Sequence, residues 1–369
     1  MPKKRELKIG NKIIDDSSDC FVVAEIGQNH QGDVEVCKRL FEAAKFCGAD
    51  AVKLQKRNNR TLYTRKFFDS PYNFENAFGP TYGKHRQALE FNKKEYRKLK
   101  KYAEKLGLIF FATAWDESSG DFLEDLDVPA FKIASADLIN TPLLKYIAKF
   151  KKPMIVSTGA ATIDDVKRAY QEVMPINNQL SLLHCTAVYP ASAEYLNLKV
   201  IETYRQEFPE IVIGFSNHFN GISVDPVAYC LGARIIEKHF TLNRAMQGSD
   251  HSFSLEFEGM RKLVRDLRRV RLALGDGLKK FYPEEEPAKY RMGKCIVTTK
   301  SLPAGHILTK KDLALKSPCE GLPPYLLDEL IGKKTIVALK TDQPLSLKHL
   351  ESFKKPARKT NGHQSIFPT

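Results

Sequence analysis

Short, nearly unbroken apolar runs alternate along this chain with longer stretches whose apolar residues recur every three or four positions. The runs Phe21–Ile26, Ala51–Gln55, Ile109–Thr113, Ala130–Ala134, Met154–Ser157, Leu180–Thr186, Val212–Ser216 and Ile235–Phe240 predict eight strands. Their continuity in Val, Ile, Leu, Phe and Ala predicts strands covered on both faces, as in a parallel sheet. Between the first two, Val34 to Cys47 puts Val36, Leu40, Ala43, Ala44 and Cys47 on one helical face, and Gly48 is a stop signal. Lys94–Leu106 and Glu258–Leu274 repeat the pattern. Ser118 or Ser119 is a candidate cap for the helix leading to Leu126, and Thr162 for the one after Gly159. Eight β-α units within about 275 residues fit a (β/α)8 TIM barrel, whose usual size is ~250 residues. A doubly wound open sheet is the alternative, but no GxGxxG follows the first strand. The fold class is read as α/β, with a barrel as its main domain.

The pattern changes after Gly275-Asp276-Gly277. Pro283 to Pro287 reads as a linker. Strands are then expected at Cys295–Thr299 and Thr335–Ala338, a turn at Pro303-Ala304-Gly305 and a helix start at Thr309 with Asp312. The chain is thus divided into a barrel at 1–276, a linker at 277–289, a small compact domain at 290–352 and a tail at 353–369. That tail is basic and polar with two prolines, and is expected to be disordered.

Composition narrows the setting. Of 369 residues, 43% are hydrophobic and 28% charged, enough apolar material for a large core. MPKKREL lacks the apolar stretch of a signal peptide and no run is long enough to cross a bilayer, so a soluble, cytoplasmic protein without a membrane partner is expected. Seven cysteines show no CxxC pair and no zinc-like spacing with histidine, and are read as buried free thiols of a reducing compartment. The formal net charge of +14 is spread over Lys3-Lys4-Arg5, Lys98 to Lys101, Arg261 to Arg271 and the tail after Lys354. The middle two runs have helical spacing and read as solvated faces. No dense basic stripe with interleaved aromatics marks a nucleic-acid surface, and a small anionic substrate explains the excess at least as well.

In a TIM barrel the chemistry sits where strands end. Polar residues at those ends are Glu25, Lys53, Gln55, Thr113, Lys132, Ser135, Asp137, Ser157, His184, Thr186, Tyr189, Ser216, His218 and His239. Lys53 and Lys132 stand among apolar neighbours, where an ammonium is costly to desolvate unless an anion neutralises it. A salt bridge to a buried carboxylate such as Glu25 would explain either one alone. Two of them with Thr113, Ser135, Ser157 and Ser216 suit a carboxylate and a phosphate together. His218 and His239 close the last two strands and can meet at one metal; with two nitrogens only, Mn2+ or Mg2+ fits better than structural zinc. Singly, each is as readily a hydrogen-bonded core histidine. Glu25 can relay a proton or simply pair with Lys53, and His30 is expected to hold its loop. Asp250 can orient a substrate, help the metal or serve a turn. Tyr189-Pro190 is expected to line the pocket mouth.

These same residues carry a resemblance. VAEIGQNHQGD at 23–33, KLQK at 53–56, FKIAS at 131–135, IVSTG at 155–159, HCT at 184–186, Tyr189-Pro190, EKHFT at 237–241 and GSDH at 248–251 are similar in order and spacing to the N-acetylneuraminate (sialic acid) synthase family. The resemblance runs through nearly the whole chain. It implies a barrel followed by a small antifreeze-like (SAF) domain, and a domain-swapped homodimer in which each small domain covers the partner's barrel. It implies condensation of phosphoenolpyruvate with an N-acylated amino sugar, N-acetylmannosamine or its 6-phosphate. Phosphoenolpyruvate would touch Lys53, Thr113, Lys132, Ser135, Ser157 and Ser216, His218 and His239 would bind Mn2+, and Glu25, Gln55, Asp137, Tyr189 and Asp250 would face the sugar.

The chain departs from the commoner bacterial pattern at Ser317, where an arginine reaching the sugar's acyl group is usual, and at Asn217, where aspartate is common. The segment 60–86, with Arg60, Arg65, Lys66, Lys84 and Arg86, looks more like animal-type synthases that take a 6-phosphorylated sugar, and reads equally well as a solvated basic loop. Rival readings are a synthase of legionaminic or pseudaminic acid, a 3-deoxy-heptulosonate phosphate synthase, and a non-catalytic carbohydrate- or nucleic-acid-binding protein. The last gives no reason for two buried lysines beside paired histidines.

Overall fold

The computed structural model describes residues 5–351, so the expected disorder of 353–369 lies outside the described residues. The chain divides into two compact units, Met1–Asp276 and Gly277–Thr369.

The first unit opens with an antiparallel hairpin that the sequence pattern did not announce, β1 (Glu6–Ile9) and β2 (Lys12–Asp15), turning at Gly10 with φ +56°. Strands this short carry too little alternation to be read from sequence. Tertiary packing decides them: Leu7, Ile9 and Ile14 are fully buried in the barrel's core, each contributing roughly 1.5–3 kcal/mol. The hairpin meets the barrel at the beginning of its strands, with Lys12 Nζ 3.1 Å from Asp50 and Gly10 against Ile109.

The eight strands follow as β3 (Phe21–Gly27), β4 (Ala51–Lys56), β5 (Ile109–Ala114), β6 (Phe131–Ile133), β7 (Met154–Ser157), β8 (Leu180–Cys185), β9 (Val212–Asn217) and β10 (Ile235–His239). They form a closed parallel barrel in which β10 returns to pair with β3. Every position of β3, β7, β8, β9 and β10 is buried, the physical counterpart of their unbroken apolar runs.

The helices that cover the strands are α1 (Val34–Cys47), α2 (Lys93–Lys105), α3 (Glu117–Asp125), α4 (Thr141–Ala148), α5 (Ile163–Val173), α6 (Val200–Glu207), α7 (Asp225–Cys230) and α8 (Phe257–Leu274). Gly48 ends α1 in the left-handed conformation, φ +86°. Thr162 caps α5 in a reciprocal pair with Asp165, as expected. The cap of α3 is Asp116, not Ser118 or Ser119. Its extended backbone lets the carboxylate accept from Ser119 N at 2.8 Å, while both serines already lie inside the helix. Between β4 and α2 the chain makes a long excursion with short helices at Asn59–Leu62, Arg65–Phe68 and Tyr82–Ala88. Among the described residues no helix is long and apolar enough to cross a membrane. The cysteines are free; Cys20, Cys37, Cys47, Cys185 and Cys295 are buried as expected, whereas Cys230 is exposed and Cys319 half-buried.

In the second unit β11 (Cys295–Thr298) pairs antiparallel with β12 (Leu313–Lys316) over a core of Ile296, Leu302, Leu308, Leu326, Leu339 and Leu345. Where a linker was read, Pro283–Glu285 forms a 3-10 turn and Glu286–Met292 a helix; a proline in the first turn costs no hydrogen bond. Thr335–Ala338 is not a strand. Thr335 makes one bridge to Leu350, and Ile336 and Val337 point to solvent instead of continuing a ladder.

Thr309 starts a single 3-10 turn, Lys310–Asp312, that runs straight into β12. The Asp312 carboxylate, 1% exposed, accepts from Thr309 N (2.9 Å), Thr309 Oγ1 (2.7 Å) and His306 Nε2 (2.9 Å). The His306 bond, with the others, holds its carboxyl well below the ordinary range. A depressed carboxylate adds stability above its unfolded value of about 3.9, and that stability is lost as pH falls below it. Asp312→Asn should therefore lower the melting temperature at pH 7, with the gap from wild type closing toward pH 2–3. A gap that does not change with pH would count against this linkage.

Candidate active site

The ends of the barrel strands, away from the hairpin, enclose a cavity of about 300 Å³. Glu25, Lys53, Gln55, Thr113, Lys132, Ser135, Ser157, Tyr189, Ser216, His218 and His239 all line it, together with Trp115, Cys185 and Glu237. A larger cavity of about 860 Å³ lies beside β7 and β8, and of its charged lining residues Asp165, Lys167 and Glu207 the last two pair at 2.8 Å. The smaller cavity holds the concentrated chemistry.

Its floor is a buried charge cluster. Lys53 Nζ lies 2.8 Å from Glu25 Oε2 and donates to Thr113 Oγ1 at 2.9 Å. Lys132 Nζ donates to Ser157 Oγ at 2.7 Å and to the Ile133 carbonyl at 2.9 Å. Both ammonium groups stand 3.8 Å from Glu237, one from each carboxylate oxygen, and Ser216 Oγ donates to the same carboxylate at 3.2 Å. These side chains are at most 7% exposed. Glu237 was not among the expected site residues. A charged residue inside the run Ile235–His239 was the available signal, and β10's pairing with β9 sets Glu237 beside Ser216.

Burial drives the electrostatics. It raises the Glu25 carboxyl to about 7, aided by the Glu237 charge and opposed by Lys53. Burial also works to raise Glu237, but Lys132 and Lys53 outweigh it and keep that carboxyl below its ordinary value. Desolvation lowers Lys132, with the Glu237 charge opposing. The two carboxylates thus hold unequal protonation tendencies in one buried pocket, a pattern found where protons are moved.

Gln55 Nε2 donates to Glu25 Oε1 at 2.7 Å. Gly27, φ +53°, leaves the space that a side chain would take from Glu25, Gln55 and Asp250. Asp250 is thereby drawn in, its Oδ2 3.8 Å from His239 Nδ1. Gly159 N donates to Ser135 Oγ at 2.9 Å. Asp137 takes another place: it is not in the cavity lining, and its carboxylate accepts from Asn140, the cap of α4. His30 holds its loop, accepting from Gly32 N at 3.0 Å and stacking on Phe91. Tyr189 packs over His218 with ring centroids 4.1 Å apart.

The rings of His218 and His239 are 5.4 Å apart. Among the described residues no cluster of three or more His, Cys, Asp or Glu is arranged around one metal position. The pair nevertheless suits a cation completed by oxygens. His218 Nδ1 donates to the Thr186 carbonyl at 3.0 Å, which leaves Nε2 with its lone pair, and His239 Nδ1 is buried without a hydrogen-bond partner. Desolvation, with the His239 charge, lowers His218 to about 4, and desolvation also lowers His239. Neutral imidazole is the ligating form.

Behind the pair runs a second buried network. Asn217 Nδ2 donates to Asp225 Oδ1 at 2.9 Å and Asn217 Oδ1 accepts from Phe219 N at 2.8 Å, while Lys238 Nζ donates to the Phe219 carbonyl at 2.5 Å. Each histidine is preceded by a residue anchored there, so Asn217 serves this network in place of the commoner aspartate. In the second unit, Ser317 Oγ accepts from Lys294 at 2.7 Å.

Comparison with known proteins places these features among relatives. Residues 40–279 match the NeuB family and residues 293–351 the SAF domain. The human N-acetylneuraminate-9-phosphate synthase is 41% identical over 94% of this chain and 96% of its own length. The N,N'-diacetyllegionaminic acid synthase of Legionella pneumophila is 36% identical over 91% of this chain and 96% of its own. The crystal structure of N-acetylneuraminic acid synthetase from Leptospira borgpetersenii, solved with citrate, superposes with a TM-score of 0.68 at 32% identity, covering 77% of this chain and 95% of that one.

Proposed function

Because this chain belongs to the NeuB family and carries a SAF domain at residues 293–351, we propose that it is a sialic acid synthase. It condenses phosphoenolpyruvate with the open-chain aldehyde of N-acetylmannosamine or its 6-phosphate, giving N-acetylneuraminate or its 9-phosphate and inorganic phosphate. The observation that carries this reading is the pair Lys53 and Lys132, buried at the strand ends and each bonded to a hydroxyl, with Glu237 between them.

In this reading the two ammonium groups, with Thr113, Ser135, Ser157 and Ser216, take the carboxylate and phosphate of phosphoenolpyruvate. Its C3 forms the new bond to the aldehyde carbon. Glu25, raised to about 7 and so partly protonated at neutral pH, donates in its protonated form to the aldehyde oxygen as that bond forms. The resulting carboxylate then takes a proton from the water that adds at C2, and phosphate leaves by C–O cleavage, so the carboxyl ends as it began. Gln55 orients Glu25, and Tyr189 and Asp250 face the sugar. A divalent cation such as Mn2+, held by His218 and His239, would supply Lewis-acid polarisation of the sugar's carbonyl oxygen. The family resemblance further supports a homodimer acting in the cytoplasm, each small domain covering the partner's barrel.

The test is phosphate release from phosphoenolpyruvate with each sugar, with Mn2+ and after chelation. Release that needs both a sugar and the metal is expected, with chelation removing at least ~99% of it. No release with either sugar in the presence of Mn2+ would overturn the reading.

A further inference from the structure

The buried network behind the two histidines has no part in the chemistry proposed above. Asn217 and Lys238 are 1% exposed and Asp225 is fully buried, yet none of the three lines the cavity. Asn217 ends β9 and stands opposite Lys238 in the ladder with β10, so the two side chains leave the barrel on the same side. Asp225 meets them there, at the start of α7. The next residues in sequence, His218 and His239, turn the other way and line the cavity.

Phe219 is the joint of this network. Its N–H donates to Asn217 Oδ1, an Asx turn that frames His218, and its carbonyl accepts from Lys238 Nζ. The peptide that follows one histidine is thereby tied to the residue that precedes the other. The Asp225 carboxylate can only accept, so it holds the Asn217 amide in the orientation that leaves Oδ1 for Phe219. Burying an ammonium and a carboxylate here is costly, and Asp225 Oδ2 is left without a hydrogen-bond partner. Apolar side chains of similar volume would fill the same face without that penalty. What they would not supply is direction, since each hydrogen bond fixes a distance and an angle. The bonds converge on the residues flanking the two histidines, so the property they set is the spacing of the rings, 5.4 Å between centroids.

We infer that Asn217, Lys238 and Asp225 are positioning residues that hold His218 and His239 at the separation one divalent cation requires. The inference rests on the metal role given to this pair in the synthase reading and deepens it. Metal–ligand bonds tolerate errors of only about 0.2 Å. A slackened peptide at Phe219 therefore weakens binding without removing a ligand.

The test titrates Mn2+ into the full chain and follows the free ion by electron paramagnetic resonance, with no substrate and no turnover. Lys238→Met and Asn217→Leu remove the network's bonds at nearly constant volume. Each is expected to raise Kd for Mn2+ about ten- to a hundredfold. Leu99→Ala, a change at a fully buried position of α2 beside β5, is the control for lost stability. It should lower the melting temperature while leaving Kd within about twofold of wild type. Should Lys238→Met fail to fold, Asn217→Leu decides alone.

Kd within about twofold of wild type in the folded network variants overturns the inference and leaves the synthase reading standing. A rise in Leu99→Ala equal to theirs also overturns it, because lost stability alone then explains the effect. Wild type that binds no Mn2+ overturns the inference together with the metal's place in the reading. Weakened Mn2+ binding in the network variants supports it even where neither sugar gives phosphate release, the separate outcome that defeats the synthase reading.

Discussion

Exchanging Lys132 for methionine is expected to lower kcat/KM for phosphoenolpyruvate by about a thousandfold. The ammonium group donates to Ser157 Oγ in this pocket, and it shares Glu237 with Lys53. Methionine fills the same volume, so the change removes charge and donors with little loss of packing. The Glu237 carboxylate then keeps one cationic neighbour instead of two and turns repulsive toward an incoming anion. Both effects fall on phosphoenolpyruvate, so its KM should rise while KM for the sugar moves little. Steady-state kinetics with each substrate varied in turn checks this. A loss below about tenfold would remove Lys132 from the proposed anion site.

The second large effect is expected at Glu237. Changing it to glutamine leaves Lys53 and Lys132 facing each other at nearly zero exposure without their shared counter-charge. Removing one partner of a buried ion pair typically costs about 3–5 kcal/mol. For a domain of this size each kcal/mol shifts the melting temperature by ~2–4 °C, so a fall of roughly 6–20 °C is expected. A bound anion would replace the missing charge. Added phosphoenolpyruvate should therefore raise the melting temperature of Glu237→Gln more than that of wild type. If the variant melts like wild type, Glu237 is not the counter-ion that holds the two lysines together.

Both substitutions act on a cluster that the sequence revealed only in part. Lys53 and Lys132 were conspicuous because each interrupts an apolar strand, and a buried ammonium needs a reason. Glu237 interrupts a strand in the same way, but it sits between Ile236 and Lys238, where a carboxylate next to a lysine reads as a local pair. Lys238 in fact turns to the Phe219 carbonyl on the other side of β10, following the strand's alternation, and leaves Glu237 for the cavity. Asp137 differs in the opposite sense. It stands two residues past a site serine, yet the 3-10 turn Ser135–Asp137 rotates its carboxylate toward Asn140.

The segment after β4 shows the same limit at longer range. Arg57 and Arg86 are separated by an excursion of short helices whose course no periodicity announces, and the basic character of 60–86 reads equally well as a solvated loop. The small domain repeats the lesson at Thr335–Ala338, where β-rich residues predicted a strand but only Thr335 finds a bridging partner.

The sequence by itself determined the barrel, its eight strands and the ring of polar residues at their ends. Continuous apolar runs can be satisfied only by strands covered on both faces, and helical periodicity supplies the cover. It also carried the family's motifs, and with them the expected reaction. Tertiary structure alone decided which charges meet: Glu237 between two lysines, and Asp250 beside His239 across the gap left by Gly27. Closing the sheet sets distances between side chains far apart in sequence, and the energy of a buried charge depends on those distances more than on its neighbours in the chain.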